Sequence, residues 1–184
     1  VTAVFEKISF ADVKSGSYCY DAVQWAVAKG ITLGMSDGSF APNAPCTRGQ
    51  IVTFLYRSQG APAQAGSNPF TDVAEESPYL AGILWAAENG VTKGVTETTF
   101  APDAPCTRAQ VLTFLWRAAG SPEPKGTEMP FTDVASGSCC EKAVLWAVEN
   151  GVTKGLANGL FGPNENCTRG QIVTFLYRAY TKAN

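Results

Sequence analysis

Apolar residues fall at Cys19, Ala22, Val23, Ala26 and Val27, the spacing of a helix that buries one face. Gly30 follows Lys29, in the place of the left-handed residue that stops such a helix. A loop from Gly34 to Pro45 comes next, with Asp37-Gly38 as a turn signal and Phe40 as an apolar plug for the core. A second helix is predicted from Thr47, because Thr47 and Gln50 fit a capping box in which each side chain satisfies the other's orphan backbone donor. Its apolar face continues through Ile51, Phe54 and Leu55, and Arg57 stands near its end, where a cation meets the negative pole of the helix.

This pattern occurs three times. Phe-x-Asp-Val begins at Phe10, Phe70 and Phe131, about 60 residues apart. Each copy continues through Trp25, Trp85 or Trp146, then Gly30, Gly90 or Gly151, then Phe-x-Pro at Phe40, Phe100 or Phe161. Each closes on Cys-Thr-Arg-x-Gln, from Cys46, Cys106 or Cys167. The same words in the same order three times are an internal repeat. The stretches Gly60 to Pro69 and Gly120 to Pro130 are rich in Pro, Gly, Ser and Ala and read as linkers short enough for neighbouring units to touch. The expected organisation is three helix–loop–helix units, residues 1–60, 61–120 and 121–184, in an all-α protein. Units of this size are poor independent folders. A closed three-fold arrangement with a shared core is expected, with three similar grooves between units.

Composition removes several chemistries. The 184 residues contain no histidine, so Ser-His-Asp and Cys-His nucleophiles and His-bearing zinc sites cannot be built. The net charge of −2 argues against a general nucleic-acid binder. No apolar run approaches the roughly 18 residues of a membrane helix. The chain begins at Val1 with no visible signal peptide and reads as a mature or excised piece of something longer. No metal site or cofactor is expected. Every polar cluster appears three times, which gains avidity on a repetitive ligand and little for catalysis, so a binding role is expected over an enzymatic one.

Arg48, Arg108 and Arg169 each take the first position of a helix, where free N–H groups and the helix dipole attract anions and a guanidinium adds a bidentate fork. The competing reading pairs each arginine with a local carboxylate, for which Asp12, Asp72 and Asp133 are candidates. Those aspartates otherwise accept ligand hydroxyls or cap the first helix. Trp25, Trp85 and Trp146 read as core, with a sugar-stacking role as the alternative. Arg57, Arg117 and Arg178 read as dipole partners.

Six cysteines without a CxxC pair suggest disulfides in an exported protein, with reduced buried thiols as the alternative. Cys19 and Cys46 share one spacing with Cys140 and Cys167. The simplest scheme is therefore Cys19–Cys46, Cys140–Cys167 and Cys106–Cys139, each closure being worth about 3 kcal/mol in the chain-entropy model. A cyclic scheme, Cys106–Cys140 with Cys19–Cys167, ranks second because it leaves Cys46 with Cys139.

The order Phe-x-Asp-Val, Trp-Ala, Gly-Ile/Val-Thr-x-Gly, Phe-x-Pro, Thr-Arg-x-Gln resembles the S-layer homology repeat, in its usual tandem of three, from Phe10 to about Tyr180. The resemblance implies a pseudo-three-fold spindle with a central helical bundle and three prongs. It also implies an extracellular role at a bacterial cell wall, anchoring a cargo domain or surface-layer protein in the same chain. The implied ligand is an acidic secondary cell-wall glycan, of the pyruvylated N-acetylmannosamine type, held in grooves between repeats. The pyruvate ketal is a carboxylate, the kind of anion the helix-start arginines suit.

The family's Thr-Arg-Ala-Glu motif falls on Thr47, Arg48 and Gln50; on Thr107, Arg108 and Gln110; and on Thr168, Arg169 and Gln171. Its glycine falls on Gly34, Gly94 and Gly155, preceded by Lys93 and Lys154 in two copies and by Leu33 in the first. Its aspartate falls on Asp12, Asp72 and Asp133. Glutamine replaces the motif's glutamate throughout, and the aromatic that opens the first helix survives as Tyr18 but becomes Pro78 and Cys139. Unequal grooves are expected. Rival expectations are a protein–protein module of a surface layer and an accessory domain of an exported enzyme.

Overall fold

The structure, a computed structural model, describes residues 9–181. The outer ends of the first and third units, 1–8 and 182–184, lie outside the described residues. Six helices follow one another: α1 Tyr20–Ala28, α2 Arg48–Ser58, α3 Leu80–Glu88, α4 Arg108–Ala118, α5 Glu141–Glu149 and α6 Arg169–Thr181. The described residues contain no strand, only three isolated bridges between loops. The all-α expectation holds.

Two kinds of helix alternate because two kinds of start alternate. Before α2, Thr47 Oγ1 accepts from Gln50 N at 3.3 Å and Gln50 Oε1 accepts from Thr47 N at 3.3 Å. The same reciprocal pair opens α4 through Thr107 and Gln110 and α6 through Thr168 and Gln171. By contrast, α1, α3 and α5 start without a side-chain cap. A turn carries the chain in, with Tyr20 N donating to Ser17 O at 3.1 Å in the first copy. These helices stop at Gly30, Gly90 and Gly151, whose φ values of 68°, 68° and 65° suit glycine. Ile31 N then folds back to Ala26 O at 2.8 Å, and Ile31, Val91 and Val152 drop fully into the core.

Docking is between units. Helix α2 packs on α3, α4 on α5, and α6 closes back on α1, while α4 also touches α2 and α6. The three units therefore form a ring. At its centre Cys46 N donates to Cys167 O, Cys106 N to Cys46 O, and Cys167 N to Cys106 O, each at 2.9 Å. Around this axis Phe40, Phe100 and Phe161 are wholly buried. Each meets the phenylalanine of its own Phe-x-Asp-Val, with centroids 5.6 to 5.8 Å apart. Burying one such ring stabilises by about 1.5–3 kcal/mol.

The disulfide scheme expected from spacing is corrected here, because all six cysteines are free. Cys46, Cys106 and Cys167 meet at the axis through the backbone ring, whereas Cys139, the expected partner of Cys106, is exposed. Cys19 Sγ lies 3.3 Å from where a Cβ on Gly170, in α6, would stand. It belongs to the junction with the third unit. Burial pushes the Cys106 and Cys167 thiols up to about 12 and raises Cys46 further, so the axial sulfurs stay protonated.

Candidate functional site

The ring creates three grooves, and each takes parts from all three units. The first, of about 500 Å³, is lined by Arg169 from unit three, by Gly34, Gln50 and Arg57 from unit one, and by Tyr79 from unit two. The second, about 340 Å³, joins Arg48 from unit one, Lys93, Gly94, Gln110 and Arg117 from unit two, and Cys139 from unit three. The third, about 490 Å³, joins Arg108 from unit two, Gly155, Gln171 and Arg178 from unit three, and Tyr18 from unit one.

At the floor of each groove lies a helix-start arginine. Arg48 is 6% exposed, Arg108 2% and Arg169 3%. Arg48 Nε donates to Phe100 O at 2.9 Å, Arg108 Nε to Phe161 O at 2.8 Å, and Arg169 Nε to Phe40 O at 2.8 Å. Each guanidinium also lies between two phenylalanine rings, Arg48 at 4.9 Å from Phe100 and 5.4 Å from Phe114, with equivalent pairs for Arg108 and Arg169. Cation–π contact of this kind fixes the fork. Burial pulls all three guanidinium pKa values down. Nη2 of Arg48 and Nη2 of Arg169 are buried without any hydrogen-bond partner. Such a donor is costly to leave unmade and asks for an acceptor.

The anion argument is corrected in one part, and the competing carboxylate pairing is corrected as well. The first-turn N–H groups are not free: Arg48 N donates to Ala104 O at 2.9 Å and Gly49 N to Pro102 O at 2.8 Å. The loop of the next unit crosses the helix start and takes the donors, and the same occurs at α4 and α6. The arginines also do not pair with the repeated aspartates. The one ion pair among the described residues joins Lys142 and Glu123.

Asp12, Asp72 and Asp133 instead staple loops. Asp12 accepts from Phe40 N at 3.0 Å and Ala41 N at 2.7 Å. Asp72 does the same for Phe100 and Ala101, and Asp133 for Phe161 and Gly162. Burial opposes ionisation of Asp72 and Asp133, yet these donors outweigh it and hold both carboxyls below their ordinary range. The stapled loop supplies the carbonyl that receives the arginine, so each aspartate positions an arginine of another unit.

Of the other expected residues, Thr47, Thr107 and Thr168 hold the caps, and Thr168 Oγ1 lies 3.5 Å from Tyr18 OH. Gln50, Gln110 and Gln171 cap and line the grooves together. Lys93 lines the second groove, Lys154 is exposed on the matching loop, and Leu33 is 73% exposed at the place of a lysine. Gly34, Gly94 and Gly155 turn the loop at φ 88°, 86° and 78°, each donating its N–H to the threonine two residues earlier.

Sequence reasoning missed Arg57, Arg117 and Arg178 as groove residues. Their Nη1 atoms do reach loop carbonyls, those of Ile31, Val91 and Val152, but their side chains also line the grooves. Their recurrence nine positions after each helix-start arginine is the signal that marks them.

The profile of the S-layer homology domain matches residues 9–52, 69–112 and 130–173. The chain belongs to the S-layer homology family. It is 32% identical over 134 residues to the cell surface protein of Thermoanaerobacter kivui, covering 70% of this chain and 18% of that protein. With the endoglucanase of Bacillus sp. (strain KSM-635) it shares 36% over 140 residues, 71% of this chain and 14% of the other. With the cellulosome-anchoring protein of Acetivibrio thermocellus it shares 25% over 131 residues, 69% and 29% respectively. The S-layer homology chain thus spans less than a third of the length of these relatives.

Proposed function

We propose that this S-layer homology triplet is an extracellular anchoring module that holds its parent protein on a bacterial cell wall by binding an acidic wall polysaccharide. The parent would be a surface-layer protein or, as the endoglucanase relative suggests, an exported enzyme. In this reading the triplet itself binds and does not catalyse. The ligand is a glycan carrying a carboxylate, such as a pyruvate ketal on N-acetylmannosamine. The observation that carries the proposal is the unpartnered, buried Nη2 on Arg48 and on Arg169, each belonging to a residue that lines an open groove.

The second groove is the principal site in this reading. Arg48, Lys93 and Arg117 give it three cations, and no acidic residue lines it. The carboxylate meets Arg48 while Gln110 and Lys93 take neighbouring oxygens. The first groove has Arg169 and Arg57 but Leu33 where a lysine would stand. Arg108, with Gln171 and Gly155, forms the third and carries Tyr18 at its mouth.

A pull-down on isolated wall sacculi tests this, before and after mild acid strips ketals. Binding is expected to vanish with the ketal and to weaken with salt. Arg117→Ala, a variant outside the core, is expected to lower affinity by roughly fivefold to tenfold. Undiminished binding to ketal-free walls overturns the carboxylate reading.

A further inference from the structure

We propose that Cys139 is a covalent modification site of the second groove, accepting an anionic low-molecular-weight disulfide and thereby closing that groove to wall polymer. The proposal rests on the reading of this groove as an anion site.

Of the six cysteines, Cys139 alone is exposed; Cys19, Cys46, Cys106, Cys140 and Cys167 are buried. It lines the same cavity as Arg48, Lys93 and Arg117. The matching positions are Tyr18 in the third groove and Pro78 in the first, so only this groove couples a thiol to its cations. Arg48 is 6% exposed and keeps an unpartnered Nη2. A disulfide bearing carboxylates can place one carboxylate on these cations while its sulfur reaches Cys139. A cationic disulfide meets repulsion instead.

The chemistry is thiol–disulfide exchange. The Cys139 thiolate attacks one sulfur of R–S–S–R, a Cys139–S–S–R bond forms, and the R–S⁻ group leaves; the Cys139 proton goes to solvent or to that thiolate. No electron acceptor beyond the disulfide is required. The attached group fills a groove of about 340 Å³ in which the polysaccharide would sit. Reduction reverses it.

The test uses the whole chain with oxidised glutathione or with cystamine, at equal concentration and low salt, read by intact mass and peptide mapping. Oxidised glutathione is expected to modify Cys139 faster than cystamine, on the order of tenfold from electrostatic focusing, with the preference shrinking at high salt. The preference should also shrink in Lys93→Ala and Arg117→Ala, and the adduct should be absent from Cys139→Ser. Equal rates, or faster cystamine, overturn the site. Modified protein should lose sacculus binding and regain it after reduction; full binding by the modified chain overturns the closing role. Failure of unmodified protein to bind sacculi would instead count against the anchoring proposal, while the rate comparison still decides the thiol site.

Discussion

Gly94 sits where the loop turns into the second groove, at φ 86°, with the ring of Phe70 and two backbone carbonyls around it. A Cβ there would stand 2.5 Å from Thr96 O, 2.7 Å from Phe70 Cε1 and 2.7 Å from Thr99 O. Two of those neighbours are backbone and cannot swing aside. Gly94→Ala therefore combines a left-handed alanine with a clash, and a loss of about 2–4 kcal/mol is expected, measured by chemical denaturation. The aspartates carry a pH signature at the same scale. Because the folded-state pKa values of Asp72 and Asp133 are lowered, their contribution is present above the unfolded carboxylate pKa. It is lost as pH falls through the folded values, below about pH 4. Asp72→Asn should lower stability at neutral pH and flatten the acid limb of a melting-temperature profile. An unchanged acid limb would show that the Phe100 and Ala101 amides do not favour the ionised carboxylate.

At the scale of elements, the capping box that opens each second helix is a local sequence signal and a local structure. Thr107→Ala removes the acceptor for Gln110 N and should cost about 1 kcal/mol, seen as a shift of about 2–4 °C in Tm. Helix boundaries were legible for the same reason: apolar spacing, the Thr–Gln pair and the stopping glycines all act within a few residues. What spacing does not carry is which helix meets which. In the structure α2 packs on α3 and α6 on α1, across the borders between units. That choice placed Cys19 beside Gly170 and gathered Cys46, Cys106 and Cys167 at the axis. It also laid the next unit's loop over each helix start. The disulfide scheme, with two bridges inside units and one between the second and third, and the free first-turn amides were both drawn without the packing of neighbouring units, and both failed there. The arginines were legible as helix-start residues from the Thr-Arg-x-Gln motif. Their phenylalanine sandwich and the part played by Arg57, Arg117 and Arg178 needed the neighbouring units in place.

At the scale of the molecule, the ring makes each unit's stability a property of the other two. Removing residues 121–184 leaves α1 without α6 and α4 without α5. It strips Arg108 Nε of the Phe161 carbonyl and Cys46 N of the Cys167 carbonyl. It also uncovers Trp25, whose ring packs on Tyr177 and Tyr180 at 5.7 and 6.2 Å. Two half-interfaces of buried helix, a wet aromatic cluster and unpaired backbone donors together exceed the 5–15 kcal/mol that separates a typical domain from its unfolded chain. The piece 1–120 is therefore expected to lack a cooperative thermal transition by circular dichroism, while the full chain melts in one step. Independent units joined by linkers would behave otherwise, with 1–120 melting near the parent temperature and two-thirds of its enthalpy. The same dependence bears on binding. Every groove borrows its arginine from one unit and its rim from another, so a two-unit piece keeps the Arg48 guanidinium but loses the wall that carries Cys139. Three units are then the smallest number that completes any groove, and wall binding should disappear with folding in the truncated chain rather than fall to two-thirds.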